Sequence, residues 1–101
     1  MKQRTAAVDL ALDAGRSTLH LRGDVGAQCS SDLAEAAREL SRRQGDVVVE
    51  CGDAARLDPS ALRFLTSLER DLAGQQRRLH LTAVPERLRT LVLLAGLAPG
   101  K

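Results

Sequence analysis

The stretch that decides the fold is DVVVECGDAARLDPSALRFL, residues 46–65. It opens with the β-branched run Val47–Val49, which is typical of a strand that is buried on both faces. A polar segment around Gly52 follows and predicts a loop. Asp58 and Pro59 then predict a helix start, because Asp can cap the first turn and Pro fits the first helical position without losing a hydrogen bond.

The residues after Pro59 continue with helical spacing. Arg63 falls on the polar side of the predicted helix, opposite an apolar stripe. The stripe consists of Ala61, Leu62, Phe64, Leu65, Leu68 and Leu72. A strand, a loop and a helix in this order place Asp58 and Ser60 at the carboxyl end of a strand, where open α/β sheets usually carry their functional surface.

The rest of the chain predicts three more strands and two more helices. The predicted elements are a β-hairpin over residues 5–12 and 18–21, a loop over 23–27, a helix to about residue 43, a strand over 78–84 and a helix over 85–95. Ser30 or Ser31 can cap the first of these helices. The predicted fold class is therefore α/β, a mixed four-stranded sheet with three helices in the order β-β-α-β-α-β-α.

Three short motifs, spread over most of the chain, share a pattern with a known family. They are Leu21-Arg22-Gly23-Asp24-Val25, then Asp58-Pro59-Ser60-Ala61-Leu62, and last Val84-Pro85-Glu86-Arg87-Leu88 with Ala95-Gly96-Leu97. They resemble the Leu-x-Gly-Glu-Leu, Asp-Ser-Ser-Gly-Leu, and Ser-Pro-Glu-x-x-x-x-Leu with Thr-Gly-Leu of the STAS domain, the fold of bacterial anti-sigma factor antagonists. On this resemblance, residues 1–101 are expected to form a single STAS-like domain.

The resemblance implies that the corner around the second motif binds a protein partner. We expect Arg56, Asp58, Pro59, Ser60 and Arg63 to contact that partner. In anti-sigma factor antagonists, a partner kinase phosphorylates the hydroxyl directly after the Asp, and the partner is released. Pro59 stands at that position without a hydroxyl, so the usual phosphoswitch is expected to be missing. Ser60, at the family's second hydroxyl position, is the remaining phosphorylation candidate.

The composition predicts one globular domain with no nucleic-acid or membrane partner. A chain of 101 residues with 44% hydrophobic content can bury a single core. The net charge of +2 is small, and Phe64, the only aromatic residue, provides no stacking platform for nucleic acid. No run is long enough to span a membrane, and no signal-like apolar segment follows the N-terminus. We therefore expect a cytoplasmic protein.

No residue pattern indicates an enzyme, a cofactor or a metal site. The chain has no glycine-rich phosphate loop, and its two histidines, His20 and His80, lie in alternating strands rather than as a base beside a Ser nucleophile. Together with Cys51 they lack the paired spacing of a zinc site. We expect Cys29 and Cys51 to be free thiols.

Two arginine pairs, Arg42-Arg43 and Arg77-Arg78, are most simply interpreted as solvated ends of a helix and a strand. As a joint patch they would attract an acidic partner.

The sequence leaves two functions open. The first is a regulatory module that binds an anti-sigma factor, a GHKL-type switch kinase or another signalling protein, through the loop before Asp58 and the face of the following helix. The second is an accessory subunit that binds the ATPase of a lipid-transport ABC system, similar to small cytoplasmic STAS proteins that often lack the Ser acceptor. The identity of neighbouring genes would separate the two.

Overall fold

In the part of the chain that the structure describes, four strands and three α-helices follow one another in the predicted order. The structure is a computed structural model that describes residues 7–13 and 15–98. The elements are β1 (Val8–Leu12), β2 (Arg16–Val25), α1 (Ser30–Ser41), β3 (Asp46–Leu57), α2 (Pro59–Ala73), β4 (Leu79–Thr82) and α3 (Glu86–Leu94), with a 3₁₀ turn over Ala27–Cys29 before α1. Residues 5 and 6, which the sequence placed in the first strand, lie outside the described residues.

The sheet is mixed, as predicted. Its strand order is β1-β2-β3-β4, with β1 and β2 antiparallel and β3 parallel to both of its neighbours. The hairpin supplies the antiparallel pair, and the helical crossovers supply the parallel ones. The run Val47–Val49 therefore lies in an interior strand, which confirms its predicted position.

The prediction that this run is buried on both faces is wrong. Val47 and Val49 are fully buried, whereas Val48 between them is only half-buried. The buried face of the sheet meets residues of α1 and α2, among them Leu40 and Leu65, in a single aliphatic core. The other face carries polar side chains, so burial alternates along β2 and the first half of β3.

β3 continues to Leu57, which corrects the loop predicted around Gly52. Two register shifts against β2 lie between His20 and Arg22 and between Gly23 and Asp24, and at each one β3 advances by one residue more than β2. Such β-bulges let polar residues turn outward while the backbone stays paired. Burial in this half of β3 accordingly recurs every third residue rather than every second.

Three further boundaries differ from the sequence prediction. β2 extends to Val25, so most of the loop predicted over 23–27 is strand. Neither Ser30 nor Ser31 caps α1, because the 3₁₀ turn places Cys29 at that position, without a side-chain cap. β4 ends at Thr82, since Ala83 has a φ of 56° and leaves the strand conformation.

Arg77 is buried, which corrects its interpretation as a solvated strand end. It is only 8% exposed, and its Nε donates to the carbonyl of Gly45 at 2.7 Å. Its Nη1 donates to Oε1 of Gln75 at 2.6 Å. The side chain therefore joins the α1–β3 link to the α2–β4 link.

The chain returns to the core after α3. Gly96, with a φ of 89°, accepts the left-handed conformation, and the amide of Leu97 donates to the carbonyl of Val92 at 3.1 Å. This is a Schellman ending, and it buries Leu97 to 2% exposure. The Ala95-Gly96-Leu97 motif thus has a packing role.

No helix in the described part of the chain combines the length and the apolar character that crossing a membrane requires.

Candidate functional site

Asp58 joins two elements at the carboxyl end of the parallel strands. Its Oδ1 accepts a hydrogen bond from the amide of Ala61 at 3.1 Å and caps α2, as predicted. Its Oδ2 accepts from the amide of Ala27 at 3.2 Å, in the turn that follows β2. Its own amide donates to the carbonyl of Val25 at 3.0 Å. One residue therefore fixes the start of α2 against the end of β2.

These contacts keep Asp58 ionised. The hydrogen bond from the Ala61 amide is the main cause that lowers the pKa of the carboxyl group below its usual value. The amides of Ala27 and Ser60 and the positive charge of Arg63 act in the same direction, while partial burial opposes them. At neutral pH the corner thus presents a carboxylate whose oxygens are held by backbone amides.

Gly26 makes this arrangement possible, and sequence analysis did not identify it as a site residue. A Cβ at Gly26 would overlap the carboxylate of Asp58. The glycine is therefore required by close approach rather than by an unusual φ. The sequence signal for this contact is weak, because only the fold brings residue 26 next to residue 58.

A shallow cleft of about 210 Å³ lies beside Asp58. Its rim carries Asp24 and Arg56, which are register partners on β2 and β3 and whose Oδ1 and Nε are 3.9 Å apart. Its lining is completed by Val25, Gly26, Gln28 and Asp58. The cleft combines an exposed cation with two carboxylates, which suits recognition of a polar protein surface.

Of the five predicted partner-binding residues, only Arg56 and Asp58 line the cleft. Pro59 is exposed at the first position of α2 and Ser60, half-buried, is at the second. Arg63 is exposed one turn further along the helix. The five thus share one corner, but the cleft itself is completed by residues at the end of β2 and in the turn after it, which the sequence did not indicate as partner-binding residues. The segment before Asp58, predicted as a docking loop, is the bulged end of β3.

Arg87 fixes α3 to the same end of the sheet. Its Nη2 donates to the carbonyl of Ala54 at 3.0 Å and to that of Ala55 at 3.4 Å. Both carbonyls belong to the bulged half of β3. This contact gives the Val84-Pro85-Glu86-Arg87-Leu88 motif a structural role that its sequence pattern did not reveal.

His20, His80 and Cys51 do not form a common site in the structure. The histidines lie on the polar face, where His20 contacts Asp53 and His80 contacts Asp46, each with a nitrogen–oxygen distance of 3.0 Å. Cys51 is buried in the core, and both cysteines are free. Within residues 7–13 and 15–98, no cluster of His, Cys, Asp or Glu side chains has a geometry that would hold a metal ion.

Comparison with known families identifies the domain. A family model described as "Mlab, STAS domain" matches residues 8–99. The chain belongs to the STAS domain family. The sequence has no significant match among curated proteins.

Solved structures confirm the STAS fold. The unphosphorylated form of the anti-sigma factor antagonist SpoIIAA superposes with a TM-score of 0.77 at 12% sequence identity, covering 93% of this chain and 86% of SpoIIAA. A structure described as Mglu superposes with a TM-score of 0.67 at 24% identity. That match covers 80% of this chain but only 20% of the Mglu chain. At these identities the two matches show a shared fold.

Proposed function

We propose that this STAS domain is a noncatalytic regulatory module that binds an anti-sigma factor, a GHKL-type switch kinase or a related signalling protein. The bonds that fix Asp58 to both α2 and the turn after β2 are the observation that carries this proposal. A docking corner with a rigid backbone binds with little loss of conformational entropy. We also predict that the protein acts in the bacterial cytoplasm, in transcription regulation.

The binding surface in this proposal consists of Arg56, Asp58, Pro59, Ser60 and Arg63. Arg56, which lines the same cleft as Asp58, and Arg63, whose charge acts on the Asp58 carboxylate, both supply exposed positive charge. Complementary charges of this kind raise association rates and select among partners. Because the carboxylate of Asp58 already accepts hydrogen bonds from the amides of Ala27 and Ala61, it serves mainly to fix the corner. The two arginines supply the contacts to the partner.

Pro59 makes binding constitutive in this proposal. The phosphoswitch that the family resemblance implies needs a hydroxyl directly after the Asp, and proline has none. Its ring also fixes φ in the first turn of α2. Ser60 lies one residue further, so its side chain points about 100° away around the helix axis. We therefore expect the partner to remain bound when its kinase and ATP are present.

A second candidate is an accessory subunit that binds the ATPase of a lipid-transport ABC system. Two observations support this second candidate. The matching family model carries the name Mlab rather than that of an anti-sigma factor antagonist. Pro59 also removes the residue on which phosphorylation-dependent release depends.

The test measures binding to purified partners encoded by genes next to this one. Calorimetry with an anti-sigma factor or switch kinase, and separately with an ABC ATPase, would show which class binds. Arg63→Glu should weaken the complex about ten-fold, because it reverses an exposed charge at the docking corner. The domain should remain folded, since Arg63 is exposed.

The control is Arg16→Glu, which makes the same change of charge at the start of β2, away from the corner. Unchanged affinity in Arg63→Glu, together with a loss of affinity in hairpin variants, would overturn the proposed surface. Binding of neither partner class would overturn the function.

A further inference from the structure

A second groove lies beside the free edge of the sheet, away from Asp58. It has a volume of about 690 Å³ and runs between the second half of α2, strand β4 and the end of α3. Its lining includes Thr66, Glu69, Arg70 and Ala73 of α2, Leu79 and His80 of β4, and Ala95 and Gly96 after α3, with Arg77 and Arg78 at the base. From Asp58 to Arg70 the helical rise is about 18 Å, so the two sites are separate.

The groove carries an excess of positive charge. Arg70, Arg77 and Arg78 line it against one carboxylate, that of Glu69. None of the three arginines forms an ion pair with a carboxylate of the described residues. The carboxyl ends of α2 and α3 add about half a negative charge each. Asp46 adds a further carboxylate beside the groove, because it accepts a hydrogen bond from the amide of Arg78 and contacts His80. Among the side chains that line the groove, three arginines still face a single carboxylate.

Arg77 gives the groove a cation that the fold leaves uncompensated. The guanidinium is always protonated, and here it is 92% buried, with only a carbonyl and an amide oxygen as acceptors. Its Nη2 is buried without any acceptor among the described residues. A buried charge without a counter-ion costs free energy, which a nearby anion would offset.

The floor of the groove is a strand edge with unpaired backbone groups. β4 pairs with β3 on one side, and no described strand pairs with its other side. In a parallel ladder alternate residues direct their N–H and C=O groups to opposite sides, so β4 offers donors and acceptors at this edge. Backbone groups of this kind pair with an added peptide strand.

We propose that this groove binds an extended acidic segment of a protein partner, which adds a strand to β4 and places its carboxylates beside Arg70 and Arg78. The free edge selects a peptide because only a peptide supplies a matching row of backbone groups. The three arginines select acidic residues in that peptide.

The test uses a fluorescein-labelled peptide of alternating Glu and Val as the probe, followed by anisotropy and by amide NMR shifts of the full chain. The peptide should bind, and the largest shifts should fall on Leu79–Thr82. The double variant Arg70→Gln with Arg78→Gln should weaken binding at least ten-fold. Both arginines are exposed, so their loss should leave the fold intact.

Matched controls separate charge, backbone pairing and position. The double variant Arg42→Gln with Arg89→Gln removes the same charge from exposed sites outside the groove and should bind the probe normally. A Lys-Val peptide and a backbone N-methylated Glu-Val peptide should both bind at least ten-fold more weakly. Equal binding of the N-methylated peptide would overturn strand addition, and so would competition by inorganic phosphate at equal affinity. Shifts centred on Asp58 would place the probe at the other site and also overturn the proposal.

Discussion

Gly26 and Asp58 lie so close together that the carboxylate of Asp58 occupies the space of a side chain at position 26. The pair is 32 positions apart in the sequence and belongs to the ends of two neighbouring parallel segments. Their contact couples the turn after β2 to the first turn of α2. The shape of the candidate docking corner therefore depends on the absence of one methyl group.

Gly26→Ala should displace the Asp58 carboxylate and break its hydrogen bond to the Ala27 amide. We expect the melting temperature to fall by roughly 5 °C and the amide resonances of Ala27 and Ala61 to shift. Gly74→Ala is the matched control, because Gly74 has a helical φ of −65° and a Cβ there meets only ordinary contacts. An equal effect of the two substitutions would contradict the close contact at Gly26.

Asp58→Asn should change how stability depends on pH. The folded-state pKa of Asp58 is lowered, so its contribution is complete above the unfolded-state value near 3.8 and is lost as the pH falls through the lower folded value. The difference in melting temperature between wild type and Asp58→Asn should therefore be largest above about pH 4 and shrink on acidification. A difference that grows on acidification would contradict the assigned direction.

The contribution of Asp46 to stability should also be lost as the pH falls, and the melting temperature of Asp46→Asn would measure it separately. The hydrogen bond from His80 is the main cause that lowers the pKa of Asp46, followed by the one from the amide of Arg78.

Cys51 should react with thiol reagents only when the domain unfolds. Burial, assisted by the charge of Glu50, raises the pKa of its thiol to about 11. At pH 8 about one thiol in a thousand is then ionised, and the sulfur is also inaccessible to reagent. In a Cys29→Ala background, a chromogenic disulfide reagent should label Cys51 slowly in buffer and rapidly in urea. Rapid labelling without urea would show that β3 opens locally.

Arg87→Ala should destabilise the domain by about 1 kcal/mol, because the carbonyls of Ala54 and Ala55 lose a charged donor. Urea denaturation would measure the change. Arg89→Ala removes an exposed arginine from the same helix and should leave the midpoint unchanged. Equal midpoints for both variants would show that Arg87 does not hold α3 against β3.

Phosphorylation should not occur at this corner in the wild-type chain. With a cognate switch kinase and ATP, mass spectrometry should detect no stoichiometric phosphate on Ser60, and the partner should stay bound. Pro59→Ser, which places a hydroxyl directly after Asp58, should restore phosphorylation and release. Full phosphorylation of Ser60 in wild type, with release abolished by Ser60→Ala, would show that the switch has moved by one residue.

Much of the fold could be predicted because local chemistry determines it. Some motifs determine the secondary structure of their immediate neighbours in the sequence. They are the β-branched run at Val47–Val49, the Asp58-Pro59 helix start and the glycine at position 96. Their order along the chain was enough to predict a mixed sheet with three helices.

The parts that could not be predicted depend on contacts between distant segments. The bulges in β3 arise from its register against β2, so Gly52 and Asp53 have a loop-like composition while their backbone remains in a strand. Arg77 has the composition of a surface residue, yet its acceptor, Gly45, lies 32 positions away. Gly26 likewise acquires its role only when the fold brings Asp58 beside it.

Because the helices cover only one face of the sheet, the strand residues fall into two groups that differ in how well they tolerate substitution. Substituting Val47, Val49 or Leu81 alters the packed interior, whereas Thr18 or Val48 can be exchanged with consequences mainly for the surface. A designer could therefore rewrite the outward positions of this domain, introducing labels or new recognition chemistry, while the helix-covered side keeps the scaffold intact.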